Sequence, residues 1–272
     1  MILDSSTVEQ LLKDMGEVGK RLVEIGATEG AAGNISICLR DTLEIREFFP
    51  QMTIIDLPVP APDLAGATIL VTGSGRRLRD VADAPTQNLA AIIVEDGGKT
   101  GRMFTSVNCP FKRVTSEFNS HLAVHHDQMR SRPIKMHAVI HAQPTYLTFL
   151  SHIPKYQDER YLNTHLIRWQ PETILNFPEG IGVLPFILLG STQLMLETMI
   201  SLRKHQLVVW SQHGIMARAD ESIIHALDLV EYAETAAQYE VLNLFTGEES
   251  AGLTPENIRA VADSWNIKQK IY

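Results

Sequence analysis

Short apolar runs, linked by turns too tight to hold a helix, constrain this chain more than any other feature. The run at 89–94 (LAAIIV) meets another at 100–105 across Asp96-Gly97-Gly98. The run at 206–210 (QLVVW) meets 215–218 across Ser211-Gln212-His213-Gly214. Antiparallel strands accept such links, whereas parallel strands need a crossover of about a dozen residues or more. Further strands are expected at 35–39, 68–72 and 135–142, and strand or extended chain at 173–177 and 181–188. Between them lie helical periodicities at 6–26, 116–129, 191–204 and 220–246, with Asp220 as cap and Gly247 as stop of the last. A short helix after Pro144 and a final one opened by Thr254-Pro255 complete the reading. The pattern predicts an α/β fold of α/β/α layers around a mainly antiparallel sheet.

With 272 residues the chain is long enough for a real core. The stretch 41–66 carries Pro50, Pro58, Pro60 and Pro62 and reads as an ordered insertion whose Phe48, Phe49, Ile54 and Ile55 need cover. It does not read as a boundary, so residues 1–272 are expected to form one domain. Acidic residues outnumber Lys+Arg by 32 to 24, a balance of −8 that argues against nucleic acid as partner. The longest apolar stretch, 181–189, is interrupted by Gly182 and Pro185 and falls short of the roughly 20 residues of a membrane helix. A polar start (MILDSSTVEQ) and two isolated cysteines, Cys38 and Cys109, fit a soluble cytoplasmic protein with free, buried thiols.

Three loops carry groups that chemistry could use. Thr72-Gly73-Ser74-Gly75 follows a strand, offers backbone amides and a hydroxyl to an anion, and precedes Arg76, Arg77 and Arg79. Thr115-Ser116-Glu117 opens a helix, where free amides and hydroxyls suit a phosphate. His141 near a strand end and His213 in a turn could aim two imidazoles at one metal ion. Each loop also has an ordinary reading, as a turn, a helix cap or a hydrogen-bonded histidine. His121 and His125 share a helix face with Glu117 at four-residue spacing, a face expected to be partly solvated.

Taken in chain order, Gly33-Asn34-Ile35-Ser36, the TGSG loop, Thr115-Ser116-Glu117, His141, Phe177-Pro178-Glu179-Gly180 and His213-Gly214 resemble the class II, metal-dependent sugar-phosphate aldolases of the aldolase/adducin fold. The match runs over nearly the whole chain. The resemblance implies cleavage of a sugar phosphate to dihydroxyacetone phosphate and an aldehyde through a metal-stabilised enediolate, with Zn²⁺ as cofactor and a homotetramer with sites at subunit interfaces. It assigns phosphate binding to Gly33, Asn34, Ser74, Gly75, Thr115 and Ser116. Glu117 becomes the catalytic carboxylate, and Glu172 a second one, supplied from a neighbouring subunit. His141 and His213 become zinc ligands. The family strand reads His-x-His, but here the second position is Gln143, a weaker ligand. His137 shares that face but stands roughly 13 Å from His141 along a strand, at about 3.3 Å per residue. The rival readings are another phosphosugar aldolase or epimerase, or a non-catalytic adducin-like domain, which the missing histidine favours and the retained Glu117, His141, His213 and Glu172 oppose.

Overall fold

In this computed structural model residues 2–3, 5–247 and 250–272 are described. Strand β1 (Ile2–Leu3) leads into helix α1 (Ser5–Glu24), followed by β2 (Asn34–Leu39) and β3 (Thr42–Leu43), which pairs in parallel with β1. Next come β4 (Gln51–Asp56), β5 (Thr68–Thr72), a one-turn helix α2 (Pro85–Asn88), β6 (Leu89–Val94) and β7 (Thr100–Thr105). The middle of the chain holds α3 (Phe118–Ser131), β8 (Met136–Ala142), α4 (Thr145–Leu150), α5 (Glu159–Leu166), α6 (Pro171–Asn176) and β9 (Gly182–Leu184). It closes with α7 (Thr192–Ser201), β10 (Leu207–Trp210), β11 (Gly214–Ala219), α8 (Ile223–Thr246) and α9 (Pro255–Ser264).

Nine strands form one sheet in the order β4-β7-β6-β5-β2-β8-β11-β10-β9, antiparallel throughout except for β9 beside β10. The two-residue side-chain period then decides the layers. Ile35, Ile37, Ala138, Ile140, Ile215 and Ala217 point to one face and pack with Leu22 of α1, Leu147 of α4 and Val230 of α8. Cys38, Ile69, Val71 and Ile92 point to the other, against Phe118 and Leu122 of α3. Val139, Val208 and Met216 meet Val124 of α3 and Leu194 of α7 on that same side. Each fully buried Leu or Ile in these layers contributes about 1.5–3 kcal/mol over its exposed state. The layered, mainly antiparallel fold is the one read from the turns.

Several local expectations are corrected. Residues 173–177 lie mostly in α6, with Pro171 at its first turn, rather than in extended chain. Ser222, not Asp220, caps α8 by accepting from the His225 amide, while Gly247 stops the helix in the left-handed region at φ +67° as expected. The insertion at 41–66 does more than cross the surface, because its β4 pairs with β7 and becomes an edge of the sheet. Phe49 is buried there, but Ile54 stays 66% exposed and lacks the expected cover. Both cysteines are free, Cys38 buried and Cys109 only half-buried. No helix among the described residues is long and apolar enough to cross a membrane.

Candidate active site

The sheet's pairing brings the polar loops together. Antiparallel register sets Asn34, the first residue of β2, opposite His141 near the end of β8. On its other side β8 pairs with β11, whose hairpin with β10 closes at Trp210 and Gly214 and presents His213 from the turn. That turn is tightly fixed. Gln212 adopts φ +64°, unusual for a residue with a side chain, and its amide donates to Ser151 Oγ at 2.8 Å. A Cβ at Gly214 would lie 2.4 Å from the Ala142 carbonyl oxygen, so only glycine fits. Glu117 sits just before the first turn of α3, its amide donating to Thr115 Oγ1 at 3.3 Å. Glu117 is the helix cap residue.

Three side chains converge at this junction. His141 donates from Nδ1 to the Ile215 carbonyl at 2.8 Å, which turns Nε2 toward Glu117, 3.3 Å from its Oε2. His213 Nε2 lies 3.8 Å from Glu117 Oε1. The ring of His141 stacks on Trp210 at 4.7 Å, and Trp210 is pinned by its indole N–H to Thr198 at 2.9 Å. Burial, and then the neighbouring His141, hold the His213 imidazolium form down, so the ring is disposed to be neutral. Glu117 Oε1 and His213 Nδ1 are buried without a hydrogen-bond partner. Ligand atoms of Glu117, His141 and His213 fall within 4.8 Å of one another. Two imidazoles and a carboxylate with an unpaired oxygen form a donor set that fits a zinc-type divalent cation.

Around this cluster lies a cavity of about 190 Å³, and ten of the eleven residues singled out from sequence line it: the cluster itself, Gly33, Asn34, Gln143, and Ser74, Gly75, Thr115 and Ser116. Glu172 does not. It is exposed on α6, outside this lining. Leu189, which nothing in the sequence marked, and Arg76, noted there only as a charge after the TGSG loop, also line the cavity. Arg76 had a signal in its position directly after TGSG, and its guanidinium is steered by a 2.9 Å bond from Nε to Asn88 Oδ1. Size does not mark the site. A larger cavity of about 870 Å³, lined by Glu159, Asn163 and Lys270 among others, shares no residue with the small one and contains no such cluster.

Residues 13–241 match the model of the class II aldolase and adducin N-terminal domain. The chain belongs to this family. It is a class II aldolase, in line with the resemblance carried by its motifs. A rhamnulose-1-phosphate aldolase from Listeria monocytogenes is 28% identical over 267 residues, covering 95% of this chain and 94% of that one. Among solved structures, a sugar-phosphate aldolase from Thermotoga maritima superposes with a TM-score of 0.77 at 26% identity, over 90% of this chain and 100% of that one. An L-fuculose-1-phosphate aldolase from Thermus thermophilus shares the fold with a TM-score of 0.57 at 20% identity, over 89% of this chain and 99% of that one.

One expectation about this aldolase fails behind the cavity. His121 and His125, placed from sequence on a half-solvated face, are fully buried. The strand period explains it: Asn34 and Ser36 alternate with Ile35 and Ile37, so β2 turns its polar residues toward α3. Ser36 Oγ lies 2.6 Å from His121 Nδ1 and 2.7 Å from His125 Nε2. Burial holds all the rings of this group neutral, with His125 pushed down to about 3.

Proposed function

We propose that this class II aldolase cleaves L-rhamnulose 1-phosphate to dihydroxyacetone phosphate and L-lactaldehyde. The observation that carries the reading is Glu117, a buried carboxylate with one oxygen unpaired, facing two imidazoles at the end of a cavity whose other loops suit a phosphate. The near full-length match to rhamnulose-1-phosphate aldolases, at 28% identity, supports this choice of sugar.

His141, His213 and Glu117 are the residues that would hold a Zn²⁺ ion, with Gln143 beside them in the cavity. When bound, the metal supplies Lewis-acid withdrawal of electrons at the substrate carbonyl. Ser74, Gly75, Thr115 and Ser116 hold the phosphate together with Gly33 and Asn34, using amides at the α3 N-terminus and the positive end of its dipole. That remote binding fixes the carbon chain relative to Glu117. In the cleavage direction the hydroxyl on the aldehyde side gives its proton to the carboxylate of a neighbouring subunit's Glu172, and the bond to the neighbouring carbon breaks. The released electron pair stays on the dihydroxyacetone phosphate fragment, whose carbon then takes a proton from Glu117 Oε1 in its acid form; solvent returns a proton to Glu117 and takes one from Glu172, which closes the cycle. Glu172 serves the aldehyde end of a neighbouring subunit's cavity in a homotetramer, in keeping with its exposed place on α6 outside its own chain's cavity.

Incubating the purified protein with zinc and, separately, L-rhamnulose 1-phosphate, L-fuculose 1-phosphate and a pentulose 5-phosphate tests this. Dihydroxyacetone phosphate should appear fastest from the first. Faster release from the second, or epimerisation of the third without cleavage, overturns the choice of sugar. Cleavage that survives complete removal of metal overturns the mechanism.

A further inference from the structure

Behind the cavity a single line of hydrogen bonds runs through the protein interior. Asn34 Nδ2 donates to Glu117 Oε2 at 2.8 Å. An amide that gives its N–H₂ to a carboxylate must turn its oxygen the other way, and Asn34 Oδ1 lies 2.5 Å from His121 Nε2. His121 therefore carries its proton on Nε2 and accepts on Nδ1 from the Ser36 hydroxyl at 2.6 Å. With its one proton committed, Ser36 can only accept from His125, whose Nε2 is 2.7 Å away. His125 Nδ1 is then bare and takes the Nδ1 proton of His137 at 2.7 Å. At the far end His137 Nε2 is buried with no partner, and burial first, then the neighbouring His125, hold the ring neutral. Every donor in the line points toward Glu117, and Asn34, Ser36, His121, His125 and His137 are each 7% exposed or less.

We infer that Ser36, His121, His125 and His137 are positioning residues that act through Asn34 to divide the two oxygens of Glu117, holding Oε2 as an anchored acceptor and leaving Oε1 as the oxygen that reacts. The inference deepens the aldolase reading and rests on it for the reaction. A carboxylate held by one freely turning amide could present either oxygen. Here the Asn34 amide cannot flip without setting two donors or two acceptors against each other at the His121 contact, an expensive mismatch in a dry interior. Four neutral residues therefore fix the orientation of one charged group that none of them touches.

Histidine tautomers in the wild-type protein, read by ¹⁵N NMR between about pH 6 and 8, test the line directly. His121 and His125 should be protonated on Nε2 and His137 on Nδ1; any other pattern overturns the inference whatever the protein's substrate. The kinetic arm uses Ser36→Ala, His121→Leu and His121→Gln. The first two should lower kcat about 30- to 100-fold with KM for the sugar phosphate within about twofold, and should slow proton exchange from dihydroxyacetone phosphate into D₂O to the same degree. Glutamine keeps an N–H₂ where His121 has Nε2–H, so His121→Gln should recover most of the loss. A folded Ser36→Ala with kcat within about twofold of wild type overturns the inference, and so does a loss confined to KM. A wild-type protein that neither cleaves nor exchanges these substrates fails the aldolase reading instead, and the tautomers alone then decide the hydrogen-bonded line.

Discussion

Two buried glutamates show how differently one side chain can be used in the same interior. Glu240, on α8, is 1% exposed and fully engaged: Oε1 takes the Tyr156 hydroxyl, and Oε2 takes Arg168 and the Trp169 indole N–H, both at 2.9 Å. Glu117 is 4% exposed, has one donor on Oε2 and none on Oε1, and faces two imidazoles across a small cavity. Burial is nearly equal, so burial is not the signal. The unspent hydrogen-bonding capacity beside open space is what separates a working carboxylate from a structural one.

The contrast breaks most sharply by substitution. Glu117→Gln should retain the fold and lose about 10³-fold or more in kcat, roughly 4 kcal/mol, measured as dihydroxyacetone phosphate release. Its melting temperature should match or exceed the wild-type value, since an unpaired buried acceptor oxygen is removed as a charge. Glu240→Ala should do the reverse. It leaves Arg168 uncompensated and Tyr156 and Trp169 without their acceptor, and should cost about 3 kcal/mol in denaturant titration. Comparable loss of activity in a still-folded Glu240→Ala protein would erase the distinction.

Acid sharpens the same comparison through the histidines behind Glu117. An unfolded histidine titrates near 6.5, whereas burial holds His125 down to about 3, so the unfolded chain binds the extra proton first. The stability this ring contributes is complete above about pH 6.5 and is lost as the pH falls toward 3. Between pH 6.5 and 4.5 the loss from this one residue should be on the order of 2–3 kcal/mol, and His125→Phe should flatten that part of the stability curve. The smallest effect is at Gln143. Replacing it with histidine should tighten zinc about tenfold, near 1.4 kcal/mol, by calorimetry on metal-stripped protein.

Legibility in the sequence followed the same division. Three of the loops that line the cavity were readable because glycines, hydroxyls and lone histidines interrupt apolar periodicity at Ser74-Gly75, Thr115 to Glu117 and His213-Gly214, while Gly33-Asn34 entered only through the family resemblance. Their convergence was not readable, since it depends on the register that sets Asn34 against His141. His121 and His125 were misplaced because polarity on a helix suggests water, and nothing local reveals that Ser36 would face them. Residues 173–177 misled for a related reason. A β-branched, apolar stretch reads as a strand, yet Pro171 at the start and packing of Ile174 against Ile258 of α9 favour a helical turn. Strand β4 escaped notice because its exposed Met52 and Ile54 leave no alternation of buried and solvent faces to detect.

The pairing of β2 with β8 carries a consequence for how the protein fails. Asn34, Glu117, His141 and His213 reside on segments that meet only when the central strands are zipped. No isolated fragment or hairpin of the central sheet contains the constellation. Catalysis should therefore be an all-or-none reporter of the folded population, vanishing at the denaturant concentration where the central sheet opens. Loosening of α9, whose residues contribute nothing to the cavity, should leave intact the proton exchange of dihydroxyacetone phosphate, which calls on Glu117 and not on Glu172 of α6. A chain that frays at α9 should keep that exchange, and one that loses the pairing of β2 with β8 should lose it at once.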